Sequence, residues 1–256
     1  VTNSSTQDID MAYFANFFEK EYGESIEEQN LSAVQLFENM NLIQVNKSSN
    51  EVALNYAGAL LFAKKPQTKL PIFLIKAVAF YGTDITDEQY IDSRDITGKL
   101  SEMFAQALSF CMMNIRYLQN NQGFNSIGEP EIPKIVFEEL LANALVHRDY
   151  FVSAPIRLLI FSDRVEIISP GHLPNNLTIE NIKMGNSNIR NPILASFASK
   201  LLPYRGLGSG ILRALKAYPD IELIDDRDSN LFKAVIKRKL ISMMYAEKNG
   251  QKYLVN

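Results

Sequence analysis

Apolar residues recur at helical spacing in the first part of the chain. Met11, Phe14, Phe17 and Phe18, then Val34, Leu36 and Phe37, predict two or three short helices between residues 8 and 45. The polar run 46–50 predicts a turn, and Tyr56–Phe62, rich in small residues, predicts a helix ended by Lys64-Lys65-Pro66. Helix, helix, turn, helix is the order of a winged-helix-like unit. No candidate recognition helix in it carries basic residues, which favours a packing role while leaving DNA reading open. Leu70–Tyr81, with its β-branched and aromatic content, predicts a strand, and Asp84–Asp95 reads as a polar loop. Leu100, Phe104, Ala107, Cys111, Ile115 and Leu118 recur in steps of three and four and predict one long helix with Cys111 packed on its buried face.

A stretch rich in Gln, Asn, Gly and Pro, residues 119–133, predicts a domain boundary. After it come a helix opening near Pro133 and running to about Tyr150, and a hairpin of Ile156–Phe161 with Arg164–Ile168. Asn191 as N-cap with Pro192 at the first helical position predicts a helix through Leu202. Gly206-Leu207-Gly208-Ser209-Gly210 leads into another over Ile211–Tyr218, and a hairpin of Ile221–Asp225 with Leu231–Lys239 follows. The expected organisation is a mostly helical region, 1–120, with one or two strands, a second domain, 131–240, and a basic tail or linker, 241–256. Helices mixed with antiparallel hairpins imply an α+β fold, a sheet with helices on one face.

Composition narrows the class. With 46% hydrophobic and 21% charged residues over 256 positions, the chain is an ordinary globular protein of one large or two small domains. Pro71, Lys76 and Arg157 interrupt the apolar runs well short of the roughly 20 residues of a transmembrane helix. One cysteine gives no disulfide and fits a reducing interior, so the cytoplasm is expected. The opening Val1-Thr2-Asn3 has no charged-then-apolar leader, so no signal peptide is expected, and a piece of a longer protein is. Net charge is −3, with eight acids and two bases in residues 1–50, twenty and eighteen in 51–230, and one and six in 231–256. Only the tail is basic, so this chain by itself is expected to hold duplex DNA weakly.

Glu139, Asn143 and His147 are spaced four and four, which places them in one stripe about 80° wide on the helix. Phe137, Leu140, Leu141, Ala144 and Leu145 take the complementary side. A carboxylate and an amide in one stripe can orient a water and ligate Mg²⁺, a hard cation that prefers oxygen donors; a solvated polar face is the alternative reading. Ser169-Pro170-Gly171 follows a strand, and the glycine cluster 206–210 precedes a helix whose N-terminal amides favour an anion. It fits neither a Walker loop nor a dinucleotide fingerprint, and taken alone such a cluster is more often a plain helix start than a phosphate cradle. His147-Arg148-Asp149 imitates a kinase catalytic loop, but Ala154 stands where that loop has Asn. Two histidines, His147 and His172, with no thiol nearby give no zinc site.

Four segments together resemble a known family. They are Glu139-Leu-Leu-Ala-Asn143-Ala-Leu-Val-His147-Arg148-Asp149-Tyr150, Arg164-Val-Glu-Ile-Ile-Ser-Pro170-Gly171, Ile189-Arg190-Asn191-Pro192 and Gly206-Leu-Gly208-Ser-Gly210-Ile211. In order and in register, they are similar to the RecG-related, Schlafen-associated transcriptional regulators of bacteria, whose C-terminal part is a divergent histidine-kinase/gyrase-type (GHKL-like) ATPase domain. Ala57–Lys64 resembles the stretch that precedes that domain, so the similarity runs over residues 30–240. The resemblance implies a two-layer α/β sandwich preceded by a smaller, mostly helical domain. It implies ATP or ADP with Mg²⁺ bound between the Glu139/Asn143 helix and the loop 206–210. By position, Glu139 would be the general base of a slow ATPase and Asn143 the Mg²⁺ ligand. His147 would line the site, Gly171 would lie near the adenine, Arg190 in the lid, and Gly206, Gly208 and Gly210 at the phosphates. Ser169 stands where the superfamily has the adenine-binding Asp, and Leu173 stands at the second glycine of that motif. The partners implied are a nucleotide, DNA through a domain outside this chain, and a homo-oligomer as a further candidate. The alternative is a degenerate, non-catalytic scaffold or oligomerisation module.

Overall fold

The structure is a computed structural model that describes residues 1–45, 51–118 and 128–239, and the backbone of two strands beyond them. In chain order the elements are α1 (Met11–Tyr22), α2 (Ala33–Asn39), β1 (Ile43–Val45), β2 (Val52–Leu54), α3 (Tyr56–Phe62), β3 (Ile75–Phe80), β4 (Tyr90–Ile96) and α4 (Leu100–Asn114). They continue as β5 (Tyr117–Leu118), β6 (Glu129–Pro130), α5 (Lys134–His147), β7 (Ile156–Ile160), β8 (Arg164–Pro170), α6 (Ile179–Lys183), α7 (Pro192–Leu201), α8 (Gly210–Ala217), β9 (Ile221–Asp226), β10 (Leu231–Lys237), β11 (Tyr245–Lys248) and β12 (Gln251–Leu254). No helix among the described residues is long and apolar enough to cross a membrane.

Six strands form one sheet in the order β4-β3-β7-β8-β10-β9, antiparallel except where β3 runs parallel to β7. Alternation along each strand sorts its side chains to two faces. Ile75, Ala77, Ile156, Leu158, Ile160, Val165, Ile167, Ala234 and Ile236 face the helices in one continuous core. Phe80, Leu159, Phe161 and Ile168 form a smaller cluster on the other face, where the Phe80 and Phe161 rings stack with centroids 5.0 Å apart. The protein is therefore a mixed α+β sandwich, with helices on one face of its sheet.

Several local expectations change. Asp84–Asp95 is not all loop, because Tyr90–Ile96 forms an edge strand on β3. It carries no apolar stripe because most of its residues are exposed, so periodicity had nothing to register. The long helix ends at Asn114, so Ile115 is its C-cap and Leu118 belongs to a short strand pair with β6. Strand pairing runs across the expected boundary at 119–133: β3 and β4 precede it and the other four strands follow it. Residues 119–127, the polar run 46–50 and half of the basic tail (241–244, 249–250 and 255–256) lie outside the described residues.

The first segment packs through aromatic rings. Phe14 meets Phe37 at 4.3 Å and Phe62 at 5.1 Å between centroids, and Phe17 and Phe62 both reach Phe197 of α7 at 5.7 and 5.6 Å. The helical unit is two helices, a β1–β2 hairpin and a third helix, with α3 buried along its whole length. Gly58 is required there, since a Cβ would lie 2.1 Å from the Leu42 carbonyl oxygen. Lys99 ties this unit to α4, pairing with Asp10 at 3.1 Å and Glu102 at 3.0 Å over the Tyr13 ring.

Candidate functional site

Helix α5 is buried on nearly every side between α4, α8 and the sheet. Its polar stripe is therefore not a solvated face: Glu139 is 2% exposed, and Asn143 and His147 are half-buried. The stripe forms one wall of a partly open cleft with a cavity volume of about 110 Å³. All nine candidates, Glu139, Asn143, His147, Ser169, Gly171, Arg190, Gly206, Gly208 and Gly210, line that cleft.

The glycines let backbone come close. A Cβ on Gly210 would lie 2.5 Å from Glu139 Oε2 and 3.2 Å from Asn143 Nδ2, so the start of α8 rests against the acid and the amide. Gly208, at φ +71°, lies so near Gly185 that a Cβ would fall 2.2 Å from its carbonyl oxygen. Gly171, at φ +98°, gives its open side to Arg190, whose Nη1 lies 2.2 Å from where a Cβ would stand. Arg190 donates to the carbonyls of His147 and His172, so it joins the end of α5 to the loop after β8.

The base of the cleft is tied together by side chains. Ser169 donates from Oγ to the Ala144 carbonyl at 3.1 Å, which leaves its oxygen able to accept only. His147 Nε2 lies 3.0 Å from the Tyr204 hydroxyl. Burial pushes the imidazole down to about 4, with the Arg190 guanidinium adding to the effect, so His147 is neutral at neutral pH. Burial also raises the Tyr204 hydroxyl above its ordinary range.

Residues that the sequence reading passed over complete the site. Arg213, on α8, pairs its Nη2 with Glu139 Oε1 at 2.7 Å, while its Nε is buried without a hydrogen-bond partner. Asn191 stands at the N-cap of α7 but makes no cap bond there. Its amide donates instead to Val146 at 2.8 Å and Arg148 at 2.7 Å, holding the C-terminal carbonyls of α5. Arg148 is fully buried between the rings of Phe73 and Tyr150, 4.3 and 5.1 Å from their centroids, and donates to Ala154 in the next loop. The Arg of the kinase-like triplet is thus a packing residue. The partners of Arg213 and Asn191 lie far off in sequence, where a local pattern cannot show them. Glu139 is the one carboxylate lining the cleft, and no described cluster of three or more His, Cys, Asp or Glu is placed to hold a metal.

Residues 153–230 match the family model described as "Putative ATP-dependent DNA helicase recG C-terminal". The match holds Ser169, Gly171, Arg190 and the glycines 206, 208 and 210, and begins after α5. No curated protein matches this chain. Among solved structures, the DIP2311 protein from Corynebacterium diphtheriae is similar, with a TM-score of 0.66 at 21% identity over 93% of this chain and 46% of that one. At that identity the likeness is one of fold, and this chain spans less than half the length of that protein. The family match makes residues 153–230 ATPase-like and related to the RecG C-terminal family, and the structural likeness adds the fold.

Proposed function

We propose that the cleft binds a nucleoside di- or triphosphate with Mg²⁺, in a bacterial regulator whose DNA-contacting part lies outside this chain. One observation carries the reading: two segments distant in sequence, helix α5 and the loop into α8, bring a buried carboxylate, an amide and three glycines to a single cleft. The fit is local as well, because Gly210 lets the start of α8, with its backbone N–H groups, close against Glu139 and Asn143, an approach that any side chain there would block. Asn143 would hold the Mg²⁺ through its side-chain oxygen, with phosphate and water oxygens as the remaining ligands. The bound ion supplies charge neutralisation at the phosphates. Gly206, Gly208 and Gly210 present backbone N–H groups at the start of α8, where an anion is favoured. Glu139 Oε2 is the atom that would accept a proton from water in a slow hydrolysis.

A second reading, a non-catalytic nucleotide sensor or scaffold, is favoured by the other end of the cleft. Ser169 has already given its proton to Ala144, and no carboxylate lies near it in the cleft wall. A neutral acceptor grips an adenine amino group less firmly than a charged one.

Thermal denaturation with Mg-ADP or a non-hydrolysable ATP analogue tests the binding. At 100 times its Kd a ligand adds about 2.7 kcal/mol, which raises Tm by about 5 to 10 °C in a chain of this size. Asn143→Ala should abolish the dependence on Mg²⁺. No shift at millimolar nucleotide overturns the reading, and binding without turnover selects the sensor.

A further inference from the structure

The Glu139–Arg213 pair is a feature that neither the polar stripe nor the glycine loop required. Arg213 stands one turn into α8 beyond Gly210 and lines the cleft. Its Nη2 is 2.7 Å from Glu139 Oε1, and its buried Nε–H has no partner. A guanidinium carries five N–H donors in a rigid fork that matches phosphate oxygens in pairs. Here one arm of the fork is committed to the carboxylate and its Nε donor is unused. The other two cleft arginines differ: Arg190 is held by the carbonyls of His147 and His172, and Arg205 is exposed on the loop.

We propose that Arg213 is the residue by which this cleft distinguishes a nucleoside triphosphate from a diphosphate. Without a terminal phosphate its guanidinium neutralises Glu139. A terminal phosphate competes with Glu139 for the same fork. Two anions then share one cation through charge-assisted hydrogen bonds, which are stronger than neutral ones. The inference deepens the nucleotide reading above and rests on it.

Calorimetric titration of the whole chain with Mg-ADP and with the Mg-bound non-hydrolysable ATP analogue tests it, read as the ratio of the two affinities. Arg213→Met should lower the analogue-to-ADP ratio by about tenfold or more, the worth of one charged hydrogen bond, with Arg213→Lys in between. Glu139→Gln should raise the ratio severalfold, because it removes the anion that competes with the phosphate while keeping the shape of the side chain. Arg94→Met, on the edge strand β4 outside the cleft, should leave the ratio unchanged. If Arg213→Met does not fold, Glu139→Gln decides alone. A ratio that neither Arg213→Met nor Glu139→Gln moves, or that Glu139→Gln lowers, overturns the role of Arg213 and leaves nucleotide binding standing. A parent chain that binds neither nucleotide overturns both.

Discussion

The side-chain amide of Asn191 donates to the main-chain carbonyl of Val146 at 2.8 Å, so the residue that opens one helix closes another. The last carbonyls of a helix have no partner within it, and here a residue from α7 supplies one. Asn191 therefore fixes where α5 ends and where His147 sits. Asn191→Ala should lose about 1–3 kcal/mol, or roughly 2 to 10 °C in Tm. Asn191→Asp is the sharper test, since Asp is a good N-cap but has no amide to donate. It should be destabilised about as much as the alanine variant, and an Asp variant as stable as the parent would return Asn191 to an ordinary capping role.

Glu131 is buried between two guanidiniums, with Arg116 Nη2 at 2.6 Å and Arg238 Nη2 at 2.7 Å. It joins the chain just before α5 to the end of β10. Burial alone would raise its carboxyl, but hydrogen bonds from Arg116 and Arg238 outweigh that and hold it below the ordinary range. Glu131→Gln should cost about 3–5 kcal/mol at neutral pH, because it leaves Arg238 buried without its counter-ion. A carboxyl held low in the folded state stabilises at pH above its unfolded value, near 4.3, and that stability is lost as pH falls through the folded value. The difference between parent and variant in urea denaturation should therefore shrink below about pH 4; a constant difference from pH 7 to pH 3 would count against the triad.

His147 gives stability a second slope. Its folded value is about 4 against an ordinary 6.5, so between those limits the unfolded chain binds the proton and the folded one does not. Stability then rises with pH across that window, by up to about 3 kcal/mol at 1.36 kcal/mol for each pH unit. His147→Asn should flatten the slope between pH 4 and 6.5. An unchanged slope would place the titration elsewhere.

Two glycines with similar backbone angles should behave differently. At Gly171 a Cβ would strike Arg190 and Asp149, whereas at Gly206 the nearest atom would be Tyr204 Cε1 at 3.7 Å. Gly206→Ala should cost only the left-handed strain, about 1–2 kcal/mol. Gly171→Ala should cost more in Tm and should also displace Arg190. Equal losses would mean that Arg190 yields freely.

The stripe on α5, the capping sequence at Asn191-Pro192 and the glycine cluster were legible because each is a short-range pattern. Spacing of four marks a helix face, and Pro at the first turn marks its start. What such patterns lack is the identity of the partner. Nothing near Arg213 in the chain announces Glu139, and a carboxylate in a stripe with Asn143 and His147 reads as solvated until α8 is laid over it. Likewise β4 was missed because an exposed edge strand needs no apolar alternation, and Asn191 was read as a cap because its amide serves carbonyls in another element.

The parallel pairing of β3 with β7 has a consequence for how the chain is made. A ribosome releases the β3–β4 hairpin, with exposed Tyr81, Tyr90 and Ile91 around it, well before Ile156–Ile160 exists. Until then β3 has one free edge, and non-local partners of this kind are slow to find each other. A truncation beginning near residue 131 inverts the problem: β7 would lose its neighbour and present Arg157, Leu158, Leu159 and Ile160 along a bare edge, a template for self-association. Expression of the ATPase-like part therefore depends on carrying residues 75–96 with it.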